Sequence, residues 1–356
     1  MSVPRPGADE PLVELDGAAL RRNVEAWRSR AGAGLRAVVK ADGYGWGVGR
    51  VIAAVDSVVD GYLVADVAEF ERARAHTERP VATLADVAAG DVSALLERGG
   101  IPSLAEAAAF AAAGAWALAH GRRPRVRLGV RNAASWGGVD PADLPSLARA
   151  IAPLPLDVEA WTHLTDPSLA AAQRETFAQA VATLRRSGVA VVATDVASSM
   201  PLAGRADGAG VRLGIGMFGF RFGAPLPAVA SALRVRAQIA RVVPARGQLM
   251  GYGTALAPES GFLVVVRCGY GDGFPRVADP RTGILAVGMQ YAVAHREVAP
   301  DERHLALIDE TTDLDLLAAA AHSGAHEIVV RAGHAAAATR LRATEARAEA
   351  RRSDID

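Results

Sequence analysis

The sequence predicts an α/β fold: a (β/α)8 TIM barrel followed by a mainly antiparallel β domain. Over the first two thirds of the chain, short apolar runs alternate with helical patterns. Near Leu233 the pattern changes to alternating apolar and polar residues. Strands that alternate with helices pair in parallel, and about eight such units close into a barrel. Alternating residues indicate a strand with one buried face, which is typical of antiparallel sheets.

Length and composition agree with two folded domains. The chain has 356 residues, of which 51% are hydrophobic, enough for a large buried core. Its 39 basic and 39 acidic side chains balance, which argues against a nucleic-acid or membrane-surface partner. Cys268 is the only cysteine, so no intrachain disulfide can form. We found no signal peptide pattern and no uncharged apolar stretch of about 18 residues, so we expect a soluble cytoplasmic protein.

The barrel is predicted over residues 12–232, with an N-terminal strand at Leu12–Leu15. Asp16 is the expected N-cap of a helix over Gly17–Arg30, because its carboxylate can accept from unpaired amides. The alanine-rich tract from Ala105 to Ala119 is read as a barrel helix. Eight barrel strands are expected in chain order: Ala37–Val39, Gly61–Ala65, Val81–Leu84, Gly100–Leu104, Arg125–Val130, Val158–His163, Val189–Thr194 and Gly210–Gly214.

The second domain is predicted over residues 233–345, and a strand within residues 1–15 is a candidate member of it. Its boundary is placed near residue 232, after a loop with two prolines. Few helical patterns separate its expected strands, which are Leu233–Ile239, Gly261–Cys268, Thr282–Gly288 and His326–Arg331.

Lys40 is the first candidate for chemistry, because it follows the strand Ala37–Val39 directly. The carboxyl ends of barrel strands form the face on which barrel active sites are built. A lysine there can form a Schiff base with an aldehyde cofactor. A lysine at a strand end taken alone more often points into solvent.

The segment Ala37–Gly47 resembles the lysine motif of the alanine racemase family, V-K-A-N-A-Y-G-H-G. Lys40 and Tyr44 match, whereas Asp42, Gly43 and Trp46 depart from it. Further segments are similar to family motifs. Val211–Gly219 is similar to V-R-x-G-I-x-x-Y-G, Gly251–Thr254 to S-Y-G-A-T, Gly269–Arg276 to G-Y-A-D-G-x-x-R, and Trp161–His163 to the T-H-F motif. Ala197–Ser199 looks like the family's A-N-S.

The resemblance implies pyridoxal 5'-phosphate as the cofactor, bound covalently to Lys40, and no metal. It implies a head-to-tail homodimer in which Lys40 and Tyr252 of the partner subunit act as two bases on opposite faces of Cα. His163 would support that tyrosine. The implied cofactor contacts are Lys40, Tyr44, Ser199, Arg212, Gly214, Ile215 and His326. The implied substrate contacts are Arg131, Tyr270 and Met289.

Several positions depart from the family pattern around the substrate. Arg127 stands where the family has a lysine that is often carbamylated. The substrate-facing arginine of the same stretch has no counterpart, and Arg131 is the nearest candidate replacement. Asp195 replaces a histidine, and His326 replaces a tyrosine that contacts phosphate. Ala286 and Gln290 replace an arginine and an acid.

These departures favour an amino acid racemase or epimerase with an altered substrate over a housekeeping alanine racemase. Two alternatives stay open from the residues: other pyridoxal-phosphate chemistry at Cα, such as decarboxylation, elimination or an aldol step, and a non-catalytic cofactor-binding protein. The late H-x-C or H-x-D pair of the metal-assisted relatives does not occur in the sequence, and Tyr252 argues against a simple carrier.

Overall fold

The computed structural model describes residues 10–31, 34–132, 137–164, 168–199, 210–250 and 256–338. Eight parallel strands form a closed barrel, in which the first and the last strand pair with each other. The predicted barrel is therefore confirmed. The strands are β2 Leu35–Val38, β3 Gly61–Val64, β4 Val81–Asp86, β5 Gly100–Leu104, β6 Arg125–Gly129, β7 Asp157–Trp161, β8 Val191–Ser198 and β9 Gly210–Leu213.

Helices surround the barrel and bury one face against it. Asp16 caps the first helix as expected, since its Oδ1 accepts from the Ala19 amide at 2.9 Å. Among the described residues, none of the helices combines the length and the apolar character that a membrane span requires. The helices are α1 Gly17–Ala31, α2 Lys40–Tyr44, α3 Val48–Val55, α4 Val67–Arg74, α5 Ala89–Glu97, α6 Ala107–His120, α7 Leu144–Ile151, α8 Ala170–Arg186, α9 Leu314–Ala320 and α10 over residues 325–338.

The remaining strands form an antiparallel sheet in the order β1-β10-β11-β13-β12, with β14 also paired to β10. The N-terminal strand belongs to this sheet, because Val13 is paired with Val235. The division of domains near residue 232 stays a proposal. The strands are β1 Leu12–Leu15, β10 Leu233–Pro244, β11 Phe262–Val266, β12 Ile284–Val287, β13 Ala292–Arg296 and β14 His304–Ile308.

The strand expected over His326–Arg331 is wrong, because the segment is part of helix α10. Its β-branched run suggested a strand by residue type. The buried positions instead follow a helical spacing, with Ile328, Ala332 and Ala336 all buried. The indole Nε1 of Trp46 also donates to the Val329 carbonyl at 3.2 Å. Packing of one apolar face against the barrel therefore decided the structure of this segment.

Candidate active site

A cavity of about 950 Å³ lies at the carboxyl ends of the barrel strands. Its wall is built from residues that end or follow barrel strands, together with two residues of α10. Active sites of this barrel type are built on the same face. The polar and aromatic side chains that line it are Lys40, Tyr44, Asp86, Trp161, His163, Ser198, Ser199, Arg212, Phe222 and His326.

Helix α2, which begins at Lys40, is a left-handed turn. Ala41, Asp42, Gly43 and Tyr44 have φ angles of 54°, 52°, 63° and 58°. For a residue with a side chain this conformation costs roughly 1–2 kcal/mol. Such strain persists only where the surroundings hold it in place, and it is frequent at functional sites.

Hydrogen bonds hold this left-handed turn. The Gly45 amide donates to the Ala41 carbonyl at 2.7 Å. The Glu69 carboxylate accepts from the Ala41 amide at 2.6 Å, and Asp42 Oδ1 accepts from the Val48 amide at 2.9 Å. The turn therefore brings the side chains at both of its ends, Lys40 and Tyr44, to the same cavity.

Next to Tyr44, the Ser199 hydroxyl and the backbone amides that follow β9 form a cluster of hydrogen-bonding groups. Ser199 Oγ accepts from the amides of Gly214 and Gly216, each at 3.2 Å. A Cβ on Gly214 would lie 2.4 Å from Tyr44 Oη, so glycine is needed for the close approach of the phenol. Burial raises the pKa of Tyr44, and the charge of Glu69 raises it further. The phenol therefore keeps its proton near neutral pH and can donate to an anion.

Arg212 is almost fully buried, and its contacts use both terminal nitrogens. Nη1 lies 2.5 Å from Asp195 Oδ1. Nη2 donates to the Thr162 carbonyl at 2.8 Å and lies 3.4 Å from His163 Nδ1. Among the described residues, the hydrogen bonds of the Arg212 guanidinium are made by Nη1 and Nη2.

Asp195 also pairs with a second arginine, Arg127. The sequence departs from the family motifs at both of these positions. Its Oδ2 lies 2.8 Å from Arg127 Nη2, and Arg127 is fully buried. Glu159 approaches Arg127 Nε to 3.7 Å and also pairs with Arg36 at 2.5 Å. Burial lowers the pKa of Arg127 to about 10, against the opposing effect of Asp195, so Arg127 stays charged at neutral pH.

Trp161 packs against both arginines. The Cζ atoms of Arg127 and Arg212 lie 5.0 and 5.3 Å from its ring centroid, within the range of cation–π interactions. Its indole Nε1 donates to Ser103 Oγ at 3.1 Å. The indole and Asp195 together restrict the orientation of the Arg212 guanidinium.

Two histidines line the cavity near Lys40. Burial lowers the pKa of His163 to about 4, and the positive charges of Arg212, Lys40 and His326 contribute to the shift. Burial and Lys40 also lower the pKa of His326, whose ring stacks on Tyr44 with centroids 6.0 Å apart. His163 is therefore neutral at pH 7, and the shift of His326 is also toward the neutral form.

The chain is similar to known proteins of one family. A family model described as "Alanine racemase, N-terminal domain" matches residues 15–221. The alanine racemase of Thermobifida fusca is 30% identical over 310 residues, which is 80% of this chain and 81% of that protein. The chain belongs to the alanine racemase family.

Solved structures of alanine racemases share the fold. The enzyme from Streptomyces coelicolor superposes with a TM-score of 0.74 at 27% identity, covering 91% of this chain and 96% of that one. The enzyme from Bartonella henselae, described with covalently bound pyridoxal phosphate, gives 0.71 at 18% identity and covers 90% and 96%. Membership of the alanine racemase family makes this chain an enzyme of the racemase type and confirms the resemblance read from the sequence.

Not every residue that the alanine racemase motifs singled out lies at the cavity. Arg131, Tyr270 and Met289 are not among the described residues that line it, and Tyr252 lies outside the described residues. Arg131 is exposed and its Nη2 donates to the Gly138 carbonyl at 3.0 Å. Tyr270 and Met289 are 39% and 61% exposed, so their side chains are available to a second chain.

Three functional candidates were missed by sequence reasoning. Asp86 ends β4 and lines the cavity; a polar residue at the end of a predicted barrel strand was the available signal. The Gly216 amide donates to the same Ser199 hydroxyl as the Gly214 amide. Its position within the Val211–Gly219 motif was the available signal. No sequence signal marked Glu159, because the residue with which it forms an ion pair, Arg36, is 123 positions away in the sequence.

Proposed function

We propose that this chain is a pyridoxal-phosphate-dependent amino acid racemase or epimerase that acts as a head-to-tail homodimer. One observation carries the proposal: Lys40, the Tyr44–Ser199–Gly214 cluster and Arg212 line one cavity at the carboxyl ends of the barrel strands. Family membership supports the reaction class, and the roles of the individual residues are proposals.

The residues present fit this cofactor. Lys40 is exposed and supplies a primary amine for an aldehyde. The Tyr44 and Ser199 hydroxyls and the amides after β9 are neutral donors gathered at one end of the cavity, a set suited to a phosphate. We assign Gly214, Ile215 and His326 to the same end. Arg212 Nε is suited to an acceptor such as a pyridine nitrogen, and a guanidinium does not release its proton near neutral pH.

Racemisation needs a proton removed from one face of Cα and returned to the other. The bound cofactor supplies the acidity of the Cα–H bond by withdrawing electrons from it. Lys40 Nζ then accepts or donates the proton on one face. Tyr252 of the partner subunit does so on the opposite face through its phenol oxygen.

His163 is proposed to support that tyrosine. A phenol has a pKa near 10 and needs a neighbour that exchanges its proton. His163 is neutral at pH 7, because its pKa is about 4. Its imidazole can therefore accept a proton or a hydrogen bond, because the neutral ring has one unprotonated nitrogen.

A head-to-tail dimer is proposed because the assigned groups fall in two parts of the chain. Lys40 and Arg212 lie at the barrel cavity, whereas Tyr270 and Met289 lie in segments that follow strands of the second sheet and do not line it. Leu249 and Leu256, which flank the segment containing Tyr252, are 67% and 63% exposed. Exposed apolar residues of this kind are typical of interaction surfaces. We also propose the cytoplasm as the location, from composition alone.

The substrate is proposed to differ from alanine. No arginine of the 127–132 stretch reaches the cavity wall, although Arg131 stays a candidate contact from the sequence. Losing a charged hydrogen bond to a substrate carboxylate weakens binding about ten- to a hundredfold. L-Alanine should therefore be a poor substrate.

Two measurements test the proposal on the purified holoenzyme. Borohydride reduction and peptide mapping should tag Lys40, and the Lys40→Ala variant should carry no tag. Deuterium exchange at Cα, followed by NMR in heavy water over a panel of amino acids and amino acid amides, should be fast for at least one of them and slow for alanine. A tag on a residue other than Lys40 contradicts the assignment of the cofactor lysine. Exchange that is fastest with free alanine contradicts the proposed change of substrate.

A further inference from the structure

The cavity around Lys40 contains a carboxylate that the reaction does not use. Asp86 ends strand β4 on the same rim as the other assigned groups. It is the single acidic side chain among the described residues that line the cavity. A charge placed there affects every substrate that binds.

Asp86 has one hydrogen-bond partner in the described part of the chain. Its Oδ2 accepts from the Gly138 amide at 3.0 Å, and no described lysine, arginine or histidine forms an ion pair with it. A Cβ on Gly137 would lie 3.2 Å from Oδ2. The glycine thus leaves space beside the carboxylate, and no described residue donates a hydrogen bond to its second oxygen.

The other charges of the cavity do not neutralise Asp86. Arg212 is paired with Asp195, and His163 is neutral at pH 7 because of its low pKa. Under the proposed function Lys40 either binds the cofactor or transfers the Cα proton, and among the described residues no ion pair joins it to Asp86. The neighbouring wall residues Leu84 and Ala85 are apolar and offer no competing cation.

We propose that Asp86 determines specificity by binding a cationic substrate side chain, so that the enzyme prefers basic amino acids with a terminal ammonium or guanidinium. The inference rests on the proposed racemase function and names its substrate class. An unpaired carboxylate repels an acidic side chain and forms a charge-assisted hydrogen bond with a cationic one. Asp86 touches the substrate side chain only and takes no part in proton transfer.

The test compares substrates that differ in the terminal cation. Rates of Cα deuterium exchange are measured for lysine against norleucine, and for ornithine against norvaline, with the purified holoenzyme. The wild type should favour each cationic member in kcat/KM by about ten- to a hundredfold.

Asp86→Asn removes the charge but keeps an oxygen that can accept from the Gly138 amide. It should abolish the preference, measured as the ratio of the lysine and norleucine kcat/KM values, since a neutral amide makes no ion pair with the substrate cation. Asp86→Glu is the matched control: it keeps the charge on a longer arm and should retain a preference for cations, shifted toward the shorter ornithine.

A second readout does not depend on turnover. Dissociation constants for lysine and norleucine, measured by calorimetry, should show the same preference in the wild type and its loss in Asp86→Asn. Equal binding of the two ligands by the wild type overturns the inference. So does an Asp86→Asn variant that loses exchange with all substrates equally, or one that dissociates into monomers, because Asp86 would then hold the loop or a partner subunit.

These outcomes separate the inference from the proposed function. If exchange occurs with neutral amino acids but not with cationic ones, the racemase proposal stands and the proposed role of Asp86 is rejected. Absence of exchange with every substrate, together with absence of a Lys40 tag, rejects the racemase proposal. In that case the calorimetric preference alone decides whether Asp86 binds cations.

Discussion

Asp195 Oδ1 lies 2.5 Å from Arg212 Nη1 inside the barrel, and the second oxygen of the same carboxylate lies 2.8 Å from Arg127 Nη2. Two positions that depart from the alanine racemase pattern, Arg127 and Asp195, are thus direct partners. An acid between two buried arginines compensates the charge that Arg127 adds. The Asp195 carboxylate therefore holds both guanidiniums and helps to orient Arg212 at the cavity.

The first prediction concerns this buried cluster. Asp195→Asn should lower the free energy of unfolding by about 3–5 kcal/mol, because it leaves Arg127 and Arg212 buried without their carboxylate. Urea denaturation followed by circular dichroism measures the change. Glu78→Gln is the control: its side chain is 96% exposed in its pair with Arg74, so the midpoint should not move. An unchanged midpoint for Asp195→Asn would mean that Asp195 does not neutralise the buried arginines.

The second prediction concerns the contact between Gly214 and Tyr44. Gly214→Ala should destabilise the fold by about 1–3 kcal/mol, since its Cβ would lie 2.4 Å from Tyr44 Oη. In a Tyr44→Phe background the penalty should shrink, because the nearest remaining ring atom, Cζ, is 3.5 Å away. A double-mutant cycle by urea denaturation measures the coupling. Equal penalties in both backgrounds would show that the hydroxyl is not the obstacle.

The third prediction concerns pH. The folded-state pKa of His163 is about 4, below its ordinary value of 6.5. Between these values the unfolded chain binds a proton that the folded chain does not, so stability should fall as pH falls from about 6.5 to about 4. Above that window this group makes no pH-dependent contribution. The lowered pKa of His326 acts in the same direction.

Denaturation midpoints at several pH values between 4.5 and 7.5 measure this dependence. His163→Gln should lose less stability on acidification than the wild type, and His163→Gln/His326→Gln less again. His76→Gln serves as the control on the outer surface of the barrel. Parallel curves for the wild type and the double variant would contradict the neutral, buried state of the two rings.

The fourth prediction concerns the shared site. Lys40→Ala and Tyr252→Phe chains should each be inactive as homodimers, because each lacks one base. Mixed dimers should regain part of the wild-type activity, since one of their two sites carries both bases. Purified, differently tagged heterodimers assayed by Cα exchange provide the measurement. Heterodimers that stay inactive would show that the two bases do not meet across an interface.

Much of the barrel and part of its site could be predicted from local signals. The periodicity of apolar runs anticipated all eight barrel strands within a few residues, because strand and helix periods differ along the sequence itself. Lys40 and Arg212 could be placed on one face, since each belongs to a motif at a strand end. The helical structure of His326–Arg331 could not be predicted, because a short β-branched run has too few residues for its apolar period to distinguish a helix from a strand.

The amino-acid sequence alone was enough to predict the two-part architecture, the family and several of the residues that face the cavity, among them Lys40 and Arg212. Which charged side chains meet depends on the tertiary structure. Asp195 joins Arg127 across 68 positions and Arg212 across 17, and Asp86 contacts Gly138 across 52. Periodicity and motifs report on neighbours along the chain. Pairings between strands depend on barrel closure and register, which bring distant side chains within hydrogen-bond distance.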